Sequence, residues 1–274
     1  VARSNPWLDR RVLNYAHQGG AKEAPSSTLY AMHQALAAGA TAIELDVHAT
    51  ADGELVVCHD ATVDATTNGT GAIASMPLSR VLELDNADAW PELQGRAPAD
   101  RQFGVATLRE VLEAFPDTIL NLDIKQTAPD VAPYEAALAA LLREYGRAGS
   151  GDVIVASFLD IATDAFSAAA PEVPTSAGTA ATALFWRAVQ DGVDPPPMRH
   201  VALQVPADFN GTVVVDERFV AAAHQAGVAV HVWTIDNAEQ MEALIDTGVD
   251  GIITDRPSVL TSVLAARPAR PARS

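Results

Sequence analysis

Ala42-Ile43-Glu44-Leu45-Asp46-Val47, a turn at Asp52-Gly53 and the return Leu55-Val56-Val57-Cys58-His59 decide how this chain folds. Asp-Gly between two apolar runs is a strong signal for a two-residue hairpin loop. Strands joined by so tight a turn run antiparallel. The return arm is therefore no member of a parallel sheet, which settles a count. Nine short apolar runs lie along the chain, at 12–16, 42–47, 55–58, 119–124, 153–156, 173–177, 201–205, 228–233 and 251–254. Helical patterns alternate with them, as at 27–38, 134–145, 219–226 and 238–247. Such alternation reads as an α/β fold with a parallel sheet. Setting the hairpin arm aside leaves eight runs, the number a (β/α)8 TIM barrel needs. A doubly wound open sheet is the structural alternative.

The barrel is expected over residues 1–265, with an insertion at about 60–105 and a flexible tail at 266–274. The insertion breaks the strand–helix rhythm for some 40 residues, which suits an active-site lid. The tail repeats Arg-Pro-Ala. The whole chain has 274 residues, 49% of them apolar, enough for a sizeable core. Its net charge of −17 argues against nucleic acid or an anionic membrane as main partner. A single cysteine, Cys58, excludes a disulfide framework and a thiolate metal cluster. No apolar run is long enough to span a bilayer. Val1 to Asp9 carry no signal-peptide pattern. A cytoplasmic location is expected, with export the alternative if an N-terminal segment has been removed. The oligomeric state stays open.

In a strand, residues two apart share a face. Glu44 and Asp46 therefore point the same way, at the strand end where barrel active sites lie. With Asp52-Gly53 as the whole loop, His59 falls opposite Asp46 and His48 opposite Val57. A slip of one residue would send His59 to the other face. His17 ends the first run. In the next barrel strand Asn121, Asp123 and Lys125 share a face, so Asp123 can join Glu44 and Asp46 with Lys125 just above. The bland alternative for each is a solvated strand end. Three clustered carboxylates repel one another unless protonated or bridged by a cation. Oxygen-only ligands suit a hard divalent ion, Mg²⁺ or Ca²⁺, with Mn²⁺ also acceptable. Two flanking histidines suit general acid–base work near neutral pH. Together with a lysine they make a site for phosphoryl esters.

These residues resemble the glycerophosphodiester phosphodiesterase family. The matching stretches include Ala16-His17-Gln18-Gly19-Gly20, Ile43-Glu44-Leu45-Asp46-Val47, Val56-Val57-Cys58-His59-Asp60, Asp123-Ile124-Lys125, Val232-Trp233-Thr234 and 251–257. They run in order over nearly the whole chain. The resemblance implies hydrolysis of small glycerophosphodiesters to glycerol 3-phosphate and an alcohol. It implies His17 and His59 as the acid–base pair, Glu44, Asp46 and Asp123 as metal ligands, and Lys125 on the phosphate. It also implies that the glycerol 2-hydroxyl attacks phosphorus to give a cyclic phosphate, which water opens. Three positions depart from the family. Gln18 stands where arginine is usual, in a bacterial H-Q-G-G variant, and is expected to face the substrate. Asp123 replaces a glutamate, and Pro25-Ser26-Ser27-Thr28 replaces P-E-N-T.

Only two of the 18 basic residues are lysines, Lys22 and Lys125. Both flank the expected site, so Lys22 is a candidate to supply the charge of the missing arginine; a solvated loop lysine is the alternative. Trp233 either packs in the core or contacts the substrate. His48 is expected to support, His231 to lie one layer deeper than Trp233, and His33, His200 and His224 to be at the surface. Asp255, before Arg256-Pro257, reads as a helix N-cap. Two other functions compete. A lysophospholipase D needs an apolar channel, which the 60–105 insertion could build, although it is poor in aromatics. A non-catalytic phosphate-ligand binding protein has no use for both His17 and His59.

Overall fold

The computed structural model describes residues 5–267, so the Arg-Pro-Ala repeat of 268–274 lies outside the described residues. The strands are β1 (Leu13–His17), β2 (Ala42–Ala49), β3 (Leu55–Val57), β4 (Ile119–Ile124), β5 (Val153–Ala156), β6 (Ala202–Pro206), β7 (Asp208–Phe209), β8 (Thr212–Val213), β9 (Ala229–Trp233) and β10 (Gly251–Thr254). The helices are α1 (Pro6–Asp9), α2 (Leu29–Ala37), α3 (Leu78–Val81), α4 (Leu108–Ala114), α5 (Glu135–Glu144), α6 (Asp160–Ala169), α7 (Thr179–Asp191), α8 (Glu217–Gln225), α9 (Ala238–Thr247) and α10 (Pro257–Ala265). None of these helices is long and apolar enough to cross a membrane.

Seven strands are parallel, in the order β5-β4-β2-β1-β10-β9-β6. The gap between β5 and β6 is closed by the predicted run at 173–177, but only by two single bridges, Thr175 to Val155 and Ser176 to Ala202. Pro174 explains the shortness. It has no amide hydrogen to give a ladder, though its carbonyl still accepts from Val155 N at 3.0 Å. His200, expected at the surface, is instead buried and hydrogen-bonds Thr175 Oγ1 through Nδ1 at 2.9 Å, holding this segment. His224 is half-buried and pairs with Asp250 at 2.9 Å.

Outward faces of the strands alternate with inward ones. Ile43, Leu45, Val47, Leu120, Leu122 and Val155 pack with residues of α2, α4, α5 and α6 in one core. Leu203, Val205, Val230, Val232 and Ile252 do the same with α7 to α10. The strands' N-terminal end is plugged by α1, whose Trp7 is fully buried with Leu13, Ala42, Ala202 and Ala229. Asn5 Nδ2 donates to Val201 O and Gly227 O, tying that plug to the starts of β6 and β9.

The hairpin β2–β3 exists, but one residue out of the predicted register. Val47 pairs with Val57, and His48 with Val56 rather than Val57. The loop holds three residues, not two. Thr50 N donates to Glu54 O at 2.9 Å, and Gly53, at φ +84°, donates to Thr50 O at 3.0 Å. A type I turn followed by a left-handed glycine is the usual three-residue hairpin. Asp52 is diverted from the turn: it accepts from Thr50 Oγ1 at 2.6 Å and from Leu78 N at 2.9 Å, anchoring α3.

The insertion after β3 has a small core of its own, built from Val56, Cys58, Val63, Ile73, Val81, Leu84 and Val105. It returns beside the hairpin, where Val57 N donates to Ala106 O at 2.8 Å. Asn86 Nδ2 donates to Ser26 O at 3.0 Å, and Phe103 stacks on Tyr30, so the insertion leans on α2. Of the residues expected in the tail, Ala266 caps α10 and Arg267, just beyond it, pairs with Asp246.

Candidate active site

Parallel pairing brings the acids together. β1 sets His17 beside Glu44, and β4 sets Asn121 beside Glu44 and Asp123 beside Asp46. Glu44, Asp46 and Asp123 are all buried, and each offers an oxygen within 4.8 Å of the others'. Lys125 Nζ lies 3.0 Å from Asp46 Oδ1 and 3.4 Å from Asp123 Oδ2. Burial first, then repulsion by Asp46, raises the Glu44 carboxyl to about 8, against relief from His17. Burial also raises Asp123 to about 6, although Lys125 pulls the other way. Asp46 Oδ2 and Asp123 Oδ1 are buried with no hydrogen-bond partner. Orphaned carboxylate oxygens in a cluster of hard donors fit a divalent cation, which would satisfy them and relieve the repulsion. The acidic triad is thus compatible with a divalent metal.

His17 Nδ1 lies 2.6 Å from Asp255 Oδ1, and its Nε2 3.8 Å from Glu44 Oε2. Burial would lower this imidazole, but the Asp255 bond and the charges of Glu44 and Asp46 outweigh it and lift it to about 9. Asp255 is held low in turn: burial opposes, while His17 and Lys22 stabilise its charge. Asp255 is therefore not the cap of α10. Arg256 occupies that position without a side-chain cap bond. Nothing in Asp-Arg-Pro distinguishes a cap from a histidine's partner, and the two residues are 238 apart in sequence. Lys22 is held by two carboxylates at the edge of the site. Its ammonium sits 2.5 Å from Asp236 and 3.3 Å from Asp255, so it braces the carboxylate behind His17. Asp236 also accepts from Thr254 Oγ1 and from Asp255 N, at 2.9 and 2.8 Å.

His59 does reach His17, with ring centroids 6.1 Å apart, but not by the ladder. In the observed register Cys58, not His59, falls opposite Asp46, and Cys58 N donates to Asp46 O at 3.1 Å. The strand ends at Val57, and a bend at His59-Asp60 turns the imidazole back toward the site. His59 Nδ1 meets Asp60 Oδ1 at 2.8 Å. His48 sits beneath, its Nε2 3.4 Å from His59 O and its Nδ1 3.2 Å from Gln126 Oε1. Gln18 is buried, with φ +52° and its amide Nε2 3.2 Å from His17 Nε2. Nearby Ser27 is left-handed at φ +59° and its N donates to Gln18 O at 2.7 Å. The asparagine usual at that position tolerates this conformation better than serine. His231 is buried in the barrel without a hydrogen-bond partner, and burial lowers it to about 4. Cys58 is buried and burial raises its thiol to about 12, so it is no nucleophile.

Trp233 is partly exposed and meets Phe158 edge-on at 5.4 Å. The two flank a cleft of about 430 Å³ that has Asp123 in its wall. Residues 60–105, which are poor in aromatics, contribute none of its lining. The cleft lies instead between α7, the end of β6 and the small β7–β8 hairpin. That hairpin turns on Asn210-Gly211, both with positive φ, a sequence signal as strong as the one at Asp52-Gly53.

Residues 17–259 match the sequence profile of the glycerophosphoryl diester phosphodiesterase family. A glycerophosphodiester phosphodiesterase of Caldanaerobacter subterraneus subsp. tengcongensis is 33% identical over 262 residues, 93% of this chain and 98% of that protein. The crystal structure of a glycerophosphodiester phosphodiesterase from Agrobacterium tumefaciens superposes with a TM-score of 0.72 at 25% identity, covering 92% of this chain and all of that one. A phosphodiesterase of Oleispira antarctica, solved with its product sn-glycerol-3-phosphate, shares the fold with a TM-score of 0.73 at 24% identity, over 96% of this chain and all of that one. The matched span runs from His17 to beyond Asp255 and so takes in every acid and histidine at the barrel mouth: the chain belongs to the glycerophosphoryl diester phosphodiesterase family.

Proposed function

We propose that the barrel mouth hydrolyses glycerophosphodiesters to glycerol 3-phosphate and an alcohol, with one divalent ion, Mg²⁺ or Ca²⁺ (Mn²⁺ also fits), on Glu44, Asp46 and Asp123. The observation that carries this reading is the buried triad with two orphaned oxygens, flanked by a histidine pair. Held there, the ion would supply positive charge to offset the charge of the phosphate. Lys125, on the triad's open side, and Gln18 hold the phosphate, and Trp233 lies against the substrate. The glycerol 2-hydroxyl attacks phosphorus. Its O–P bond forms as the bond to the alcohol oxygen breaks. One of His17 and His59 takes the hydroxyl proton and the other gives a proton to the departing alcohol. Water then opens the cyclic phosphate with the roles exchanged. Asp255 accepts from His17 Nδ1, which fixes the ring and turns Nε2 to the site.

The test is glycerophosphocholine hydrolysis by purified protein, followed as glycerol 3-phosphate. Activity is expected with added divalent metal and lost with chelator. His17→Ala and His59→Ala should each lower kcat by at least about 10²-fold. Full activity in either variant refutes the acid–base pair. Absence of product with all three metals favours a binding protein.

A further inference from the structure

The ladder between β2 and β4 ends just past the acid triad. Its last paired residues are Val47 and Ile124, and the next bond, from Lys125 N to Val47 O, is stretched to 3.5 Å. A phenol takes over there. Tyr134 Oη donates to Val47 O at 2.7 Å and accepts from Gln126 N at 3.2 Å. One hydroxyl thus joins the residue after Asp46 to the residue after Lys125. Its own place is fixed from outside the barrel. Tyr134 is the N-cap residue of α5, its ring is buried in the same core as Leu138, and Thr127 Oγ1 donates to the carboxylate of Glu135 beside it. Ser157 Oγ donates to Ile124 O at 2.6 Å, so β4 is tied to the end of β5 independently. The spacing left to Tyr134 is that between β2 and β4. Packing alone does not call for the hydroxyl, since a phenylalanine ring would fill the same core. A buried hydroxyl is costly unless bonded, and both of its bonds go to main chain next to residues of the site.

We propose that Tyr134 is a positioning residue for the metal centre: its hydroxyl sets the distance between the ends of β2 and β4, and with it the fit of the triad to a small divalent ion. The proposal rests on the metal reading of the triad given above. Asp46 and Asp123 are directly paired across those two strands, and Lys125 bridges them at 3.0 and 3.4 Å. Any widening between Val47 and Gln126 therefore reaches both carboxylates through a short length of chain. Groups that orient metal ligands without touching the ion commonly govern affinity by about ten- to a hundred-fold. The effect should differ between ions. Mg²⁺ demands near-octahedral oxygens at about 2.1 Å, while Ca²⁺ accepts irregular ones at about 2.4 Å. A loosened triad therefore loses Mg²⁺ before Ca²⁺.

The test reads metal binding without substrate or turnover. Metal-stripped protein is titrated with Mn²⁺, the free ion being followed by electron paramagnetic resonance, and Mg²⁺ and Ca²⁺ are then measured by displacement. Tyr134→Phe removes one oxygen and keeps the ring. It should weaken Mg²⁺ at least about ten-fold and Ca²⁺ no more than about three-fold, so that the ratio of the two Kd values moves at least about three-fold toward Ca²⁺. Leu138→Val loosens the same core one turn along α5. It should lower the urea midpoint of the metal-stripped protein and leave the ratio where it is. A ratio that moves less than about three-fold in Tyr134→Phe overturns the positioning role, whatever happens to stability. So does an equal shift in Leu138→Val, which would make the effect a general loosening of α5. Wild-type protein that takes up no Mn²⁺, Mg²⁺ or Ca²⁺ overturns the metal reading and the inference with it, whereas binding with an unmoved ratio leaves that reading standing.

Discussion

Stripping divalent ions from this protein should make its stability fall steeply as pH rises from 5 to 8. Glu44 is raised from 4.5 to about 8 and Asp123 from 3.8 to about 6, both chiefly by burial. A carboxyl raised by folding prefers its protonated form in the native state. Its contribution is fully present below the unfolded value and is lost as pH climbs to the folded one. At about 1.4 kcal/mol per tenfold in acidity, Glu44 alone loses on the order of 4 kcal/mol between pH 5 and 8. Asp123 loses on the order of 1 kcal/mol more by pH 6. His17, raised to about 9, adds to the loss above pH 6.5. Together these approach the whole stability of an ordinary domain. A bound divalent ion favours the ionised carboxylates, so loaded protein should escape most of this loss. At pH 8 an ion at 100 times its Kd should add about 2.7 kcal/mol, and at pH 5, where protons compete, far less. Urea unfolding of metal-free and metal-loaded protein at half-unit pH steps reads both curves. Asp46→Asn removes the main repulsion on Glu44 and should shallow the metal-free slope. Metal-free stability that is level or rising from pH 5 to 8, or two parallel curves, would refute the reasoning.

Asp255→Asn keeps the shape beside His17 but removes the charge. It should lower kcat at least about 10²-fold and move the His17 limb of the pH–rate profile to lower pH, with KM little changed; a profile in its original place with less than a three-fold loss sinks the positioning role. Lys22→Met separates two places for that ammonium. Held by Asp236 and Asp255, it should affect kcat/KM no more than about three-fold and leave inhibition by inorganic phosphate unchanged, whereas a ten-fold weaker phosphate inhibition would show that it meets the anion directly.

The strand-borne acids were legible because period two is a property of the backbone. Once Glu44, Asp46, Asn121 and Asp123 sit in neighbouring parallel strands, their common face follows. Register across a turn is a different matter, since Asp52-Gly53 permits a two- or a three-residue loop. The loop taken depends on Leu78 N, which captures Asp52 from 26 residues away. His59 reached the site although the ladder would have sent it outward, because the strand stops at Val57. Asp255 and Asp236 were hidden by distance: their partners His17 and Lys22 lie over 200 residues away. The apolar cleft was hidden by resemblance to core. Trp186, Pro206, Val214 and Trp233 each look like packing residues, and only their arrangement around open space separates them from it. Asn210-Gly211, by contrast, is a turn signal readable in the sequence itself.

The charges at the mouth show why an acidic protein can attract an anion at all. Its two lysines are both there, yet each is already claimed by two carboxylates. Glu44, Asp46, Asp123, Asp236 and Asp255, if ionised, outnumber Lys22, Lys125 and a protonated His17 by two charges. A phosphodiester approaching this bare mouth meets a net negative field, on a chain that carries −17 overall. One divalent ion brings the mouth to neutrality. Where an arginine at position 18 would carry its own charge, Gln18 contributes only dipoles. If phosphate binds this mouth as proposed, that binding should depend on the ion more strongly than it would with an arginine at position 18.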